Sequence, residues 1–182
     1  MSLHIQDGSG KGYLAKVFSD LMLGVRAICV PRLTNESEEH GNAYSWSNLT
    51  YDPDAADTIL LVKNTGTSHL HITKVIIYCD TLTVAQIQRP TTVVATPTGT
   101  AVTGVNLNGS SANATAATAK ADETTNVQGA IIASPIVPAS IPVQIDFDGA
   151  LILTTNQSIG VDFVTAATAG IVTIIGYFHD DV

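Results

Sequence analysis

The sequence predicts an all-β fold: an antiparallel two-sheet sandwich of the jelly-roll kind, preceded by an extended N-terminal arm with a short hairpin. Three observations predict it. Threonine is abundant, with 23 residues spread among Val and Ile; these side chains fit a pleated, half-buried surface and lose rotamer freedom in a helix. About eight stretches of this kind follow residue 42, punctuated by Gly, Pro, Asn and Asp at the spacing of a sandwich or barrel. No helical period is sustained, and neither a heptad nor a fixed-period repeat is present.

Within that fold class the elements can be placed in order. Residues 1–42 read as an arm and hairpin, and residues 43–182 as the β-sandwich body. In the arm, residues 13–18 and 21–30 alternate well enough to be two strands around a turn at Ser19-Asp20. "NAYSWSNLTY" opens the body, with Tyr44 and Trp46 on one strand face. "DPDAAD" is a turn, because Pro presets φ and Asp bonds its own backbone. "TILLVKNT" and "HLHITKVIIY", joined across a Gly-bearing loop, predict a hairpin. Strand alternation would put His69, His71, Thr73 and Val75 on one face of the second strand. "TLTVAQIQR" is a further strand. Pro97 argues against a central strand in the segment that follows. Residues 106–126 are small and polar and read as a flexible insertion. "VQGAIIAS", "VQIDFDGALILTTNQ", "SIGVDFVTA" and "GIVTIIGYFHD" complete the set.

Composition bears on partners. Apolar residues make up 45% of the 182, enough for a sizeable core. Charged residues are only 13%, about half the usual share. Soluble monomers usually carry more surface charge, so the shortage predicts a surface partly covered by identical copies or a larger assembly. The net charge of −8 is uneven. Residues 1–32 hold Lys11, Lys16, Arg26 and Arg32 against Asp7 and Asp20, a net of +2. Residues 33–182 hold four basic residues against fourteen acidic ones, a net of −10. Such a body repels nucleic acid and anionic membranes, so neither is an expected partner; the arm suits an acidic surface. No apolar run is long enough to span a bilayer, and "MSLHIQDGSGKGY" lacks the apolar core of a secretory signal. Cys29 and Cys79 are the only cysteines and read as buried thiols in a reducing compartment.

Each chemical motif has a plainer reading. "DGSGKGY" resembles a phosphate loop, but Ile5 stands where its first Gly is needed and Gly12 where Ser or Thr must follow Lys11. The run reads instead as a basic arm whose Gly8 and Gly10 let the backbone lie close to another surface. His69 and His71 are two ligands of a metal site that needs three or four, so no metal is expected. Asp146, Asp148 and Asp162 invite a glycosidase or calcium reading, and exposed carboxylates on a sheet face explain them with less. Neither G-x-S-x-G nor H-E-x-x-H occurs. Aromatics are scarce and do not interleave with basic residues, which disfavours nucleic-acid stacking. The cluster "NESEEHGNAYSW" reads as the junction of arm and body: Glu38 and His40 in a solvated turn, Tyr44 and Trp46 docking the first strand. No cofactor and no catalytic residue is expected.

The runs "DGSGKGYLAKV", "SDLMLGVRAICV" and "ESEEHGNAYSW" resemble the opening of small tailed-bacteriophage virion proteins, the head decoration (cement) and related capsid-associated β-sandwiches. "ADTILLVKNTGTSHLHITKVIIY" looks like the first hairpin of such a body, and "NQSIGVDFVTAATAGIVTIIGYF" is similar to the closing hairpin of phage trimer-forming sandwiches. The likeness covers the first 80 or so residues and the last 30 or so. It implies a non-enzymatic homotrimer on the capsid surface, made in the cytoplasm of the host bacterium. Its arm, with Gly8, Gly10, Lys11, Lys16, Arg26 and Arg32, would contact the major capsid protein or a neighbouring copy. A phage receptor-binding or fibre-tip module that recognises glycans is the second expectation. A carbohydrate-active jelly roll using Asp146, Asp148 or Asp162 is the third.

Overall fold

The computed structural model of the chain describes residues 4–6, 12–14, 31–48, 58–90, 97–123, 129–165 and 167–179. The chain forms two compact units, Met1–Pro31 and Arg32–Val182. In the first, strand β1 (His4–Gln6) pairs antiparallel with β2 (Gly12–Leu14), His4 lying opposite Leu14. The turn expected at Ser19-Asp20 lies outside the described residues. Of the two strands expected over 13–18 and 21–30, only residues 13 and 14 fall among those described. Gly8, Gly10, Lys11, Lys16 and Arg26 lie outside them.

The second unit begins at Arg32. A single helical turn, α1 (Arg32–Asn35), runs into a wider π-type turn over Glu36–His40. Gly41 closes it at φ 62°, and its N–H returns to the Glu36 carbonyl. Only a residue free to take positive φ ends a helical turn this way without strain.

Twelve strands follow: β3 (Ala43–Ser47), β4 (Thr58–Asn64), β5 (His69–Cys79), β6 (Thr83–Arg89), β7 (Thr100–Val102), β8 (Val105–Asn106), β9 (Ala117–Glu123), β10 (Ala130–Ala133), β11 (Ile136–Val137), β12 (Val143–Leu153), β13 (Ser158–Phe163) and β14 (Gly170–His179). One sheet has the order β10-β6-β13-β4-β9-β7, with β11 also on β6; the other has the order β12-β5-β14-β3-β8. Every pairing is antiparallel. Without β7, β8, β9 and β11, the sheets reduce to β4-β13-β6-β10 and β3-β14-β5-β12. The chain crosses from one sheet to the other at every step except β6 to β10, which are sheet neighbours. That is the connectivity of a jelly roll, as the sequence predicts.

The same connectivity overturns two local expectations. β4 and β5 are consecutive, yet they lie in opposite sheets, and so do β13 and β14. Neither pair is a hairpin. The short loop at 65–68 arches between sheets, and each strand finds its partners far along the chain: β4 pairs with β13 and β9, β5 with β14 and β12. Two apolar strands and a Gly-bearing turn look alike in sequence whether the strands share a sheet or face each other across a core.

The core between the sheets is built around Trp46, with Leu60 and Val62 from β4, Ile87 from β6, Val161 and Phe163 from β13, and Val172, Ile174 and Phe178 from β14. β5 contributes Leu70 and Ile72, then Val75 and Ile77. The parity changes between them. Ile72 sits opposite Gly176 and Lys74 opposite Ile175, which leaves Thr73 as an extra residue in a bulge. Its hydroxyl donates to the Ile175 carbonyl at 3.0 Å. A bulge re-aims every side chain beyond it. Val75 therefore points into the core with Leu70 and Ile72, and does not share a face with His69 and His71.

Part of the insertion expected to be flexible, Asn106 and Ala117–Glu123, is built into the sheets. β9 carries Ala119, Ala121 and Glu123 inward and pairs with β4 from Asn64 to Thr58. β7 pairs with β9 at the sheet edge, where a segment following Pro97 is tolerated. Residues 124–126 lie outside the described residues.

Candidate functional site

Residues 32–42 lie against the last strand. The Arg32 guanidinium donates from Nη2 to His179 Nε2 at 2.8 Å, and His179 Nδ1 lies 2.9 Å from Glu36 Oε1. The Arg contact makes Nε2 an acceptor, so the ring proton is on Nδ1 and is donated to the carboxylate. Glu36 is 3% exposed, unusual for a glutamate. It stays inside because the π-type turn aims it at His179 at the end of β14. The turn is locked to the sheet by backbone bonds: Asn42 N–H donates to the Glu36 carbonyl and Phe178 N–H to the Asn42 carbonyl, both at 2.9 Å.

Three carboxamides from the insertion hold the other side of this turn. Asn108 Nδ2 donates to the Ser37 carbonyl at 2.9 Å, Asn106 Nδ2 to the Gly41 carbonyl at 2.7 Å, and Asn113 Nδ2 to the His40 carbonyl at 2.9 Å. The Tyr44 hydroxyl donates to the Asn113 carbonyl at 3.2 Å. Burial pushes the Tyr44 phenol above its ordinary pKa, and the hydrogen bond with Asn106 draws it part of the way back.

A cavity of about 210 Å³ opens beside the turn, lined by Glu36, His40, Asn42, Ser68, Phe178 and His179. A carboxylate–imidazole pair beside a cavity is the orienting half of a nucleophilic triad. Here the second ring nitrogen, which would take the nucleophile's proton, accepts a hydrogen bond from Arg32. The arrangement orders the start of the body and leaves His179 without a free basic nitrogen.

Behind His179, the His71 ring stacks on Tyr177 with centroids 5.0 Å apart and an interplanar angle of 2°. His71 Nδ1 donates to the Gly149 carbonyl at 3.1 Å. Gly149 follows Asp148 through a break in β12, both at positive φ, and a side chain there would meet the Tyr177 hydroxyl. His69 and His71 do not converge with a third ligand: among the described residues, no group of three or more His, Cys, Asp or Glu is placed to hold a metal ion.

The remaining sequence candidates scatter. Tyr44 and Trp46 do share a buried strand face, with ring centroids 6.0 Å apart. Glu38 and His40 are exposed, and the junction is held by Glu36 instead. Arg32, expected in the arm, is part of the body and bonded to His179. Asp146 pairs with Lys74 at 3.6 Å on the β12–β5 sheet, whereas Asp162 is buried on β13 in the other sheet and accepts from Gln88 Nε2 at 2.8 Å. The three aspartates are not one site. Glu36, His179 and the Asn106–Asn113 carboxamides were not foreseen. Glu36 and His179 are 143 residues apart, and no local pattern links them.

No protein-family model, curated protein or solved structure matches the chain. No helix among the described residues is long and apolar enough to cross a membrane.

Proposed function

We propose that the chain is a structural virion component, a homotrimeric decoration protein on the head of a tailed bacteriophage that binds the major capsid protein. One observation carries this reading. A body with a net charge of −9 over residues 32–182 leaves eight large apolar side chains exposed among its described residues, in a chain only 13% charged. Such a surface calls for a cover, and adhesion explains it where catalysis does not. The resemblance of the opening and closing segments to capsid-associated sandwiches points the same way. So does the division into a basic leading unit and a separate jelly-roll body.

The mechanism is mass action. A protein that binds only the assembled lattice opposes its disassembly in proportion to its occupancy. Three arms on one trimer turn weak contacts into a tight one, provided all three reach their sites. The Arg32–His179–Glu36 chain ties the first residues of the body to the end of β14. The protein acts without turnover or cofactor.

Removal of residues 1–31 tests the reading. The remaining body should keep its β circular dichroism and its oligomeric state, and should no longer bind heads that lack decoration. Unchanged binding by the truncated body would refute the role of the arm.

A further inference from the structure

The exposed apolar residues are not evenly spread. Six of them, Leu82, Ile131, Ile132, Ile136, Ile141 and Val164, are between 37% and 67% exposed and lie along the β6–β10–β11 border of the larger sheet. Backbone pairing brings four of these to one place. Ile136 sits opposite Val84, the Val164 N–H donates to the Val84 carbonyl at 3.0 Å, and Leu82 precedes β6. Ser140 N–H donates to the Cys79 carbonyl at 2.8 Å, which brings Ile141 to the same end of the sheet. Ile131, opposite Gln88, extends the patch along β10.

We infer that this border is the surface through which copies of the chain meet, with the same side chains from three copies converging on the threefold axis. The inference rests on the self-association proposed above and assigns it a location.

Two features identify a second copy as the occupant. The first is charge. The stretches that carry the patch, residues 81–88 and 129–142, contain no Asp, Glu, Lys, Arg or His; Asp80, ahead of Leu82, and Arg89, opposite Ala130, stand at its margins. Identical bodies with a net charge of −9 over residues 32–182 repel one another overall, and like charges set face to face weigh against association. This border is where two of them can approach without that penalty. The second is area. The six side chains expose on the order of 600 Å². That is the upper limit of what a monomer leaves open, and it approaches the roughly 800 Å² each partner gives to a standard interface.

The contact is made by side chains and not by sheet extension. An unprotected edge strand invites pairing with another chain, and proline is one of the devices that blocks it. Pro135, Pro138 and Pro142 remove N–H donors along this border. Copies can pack their isoleucines together, and the prolines on either side of β11 weigh against sheet pairing at that end of the border.

The test is the mass in solution, by light scattering, of the full chain and of L82E, I136E and V105E. Val105 is equally exposed (64%) but lies on β8, at the border of the other sheet. The wild type and V105E should be trimers. L82E and I136E should be folded by circular dichroism, with the dissociation constant raised by roughly thirtyfold or more. If either glutamate variant does not fold, Ile136→Ser with Leu82→Ser replaces it and should show the same weakening. A wild-type trimer that L82E, I136E or the serine pair leaves intact would overturn this location while leaving self-association standing. A wild-type monomer would overturn both.

Discussion

His179→Ala should destabilise the body more than its exposed position suggests. The imidazole is 24% exposed, but its partner carboxylate on Glu36 is 3% exposed and accepts its proton at 2.9 Å. Truncation removes a donor from a buried acidic group, and removing one member of a buried pair costs about 3–5 kcal/mol in a fully enclosed site. Here a deleted ring would open the neighbouring cavity to water, which softens the loss to about 2 kcal/mol, within the range for hydrogen bonds to charged groups. For a body of this size, 1 kcal/mol shifts the melting temperature by roughly 2–4 °C, so His179→Ala should melt about 4–8 °C lower. Glu36→Gln keeps an acceptor oxygen and should cost about 1 kcal/mol. In the double variant the buried charge is gone, and the loss should fall short of the sum of the two by about 1 kcal/mol. Urea unfolding of all four proteins gives the coupling energy directly. A cycle additive to within about 0.5 kcal/mol would show that the two groups do not act as a pair.

Further expectations concern other parts of the body. Gly104→Ala places a methyl group 2.5 Å from Trp46 Nε1, against a fully buried indole, and should cost about 1–3 kcal/mol in urea unfolding; an unchanged midpoint would mean that the indole moves freely. Tyr44 has a raised pKa in the folded state, so its contribution is complete below the unfolded value of about 10 and is lost as pH rises through the folded value. Stability should therefore fall in strongly alkaline solution, and Tyr44→Phe should flatten that fall. Asn108→Ala and Asn113→Ala each remove a carboxamide bonded to the 36–41 turn. Each should lower stability by about 1 kcal/mol and speed amide exchange at Gly41 and Asn42; exchange that is unchanged would refute their bracing role.

The sequence and the structure agree most where a pattern is local and repeated. Threonine, valine and isoleucine in short punctuated runs were enough to read two antiparallel sheets, and the shared face of Tyr44 and Trp46 followed from alternation. Agreement stops where the deciding interaction is distant. Nothing around residues 65–68 reveals that β4 and β5 part into opposite sheets, because their partners begin with β9 and β12. Thr73 is an ordinary strand residue until its extra place opposite β14 turns Val75 inward. The "ATAKADE" strand hid because alanine on its inner face gives little hydrophobic contrast and has low strand propensity. Glu36 looked like one of several solvated acids, and only the far end of the chain supplies its partner. Arg32 shows the reverse: a basic residue assigned to the arm by charge alone belongs to the body by its bond to His179.

That the protein works by adhesion is tested most directly by one pair of readings on one sample: sedimentation mass, then binding to undecorated heads. A mass three times the 19.0 kDa chain, with saturable binding to assembled heads and none to free capsid subunits, is the predicted result. A single 19.0 kDa species that ignores assembled heads would contradict it.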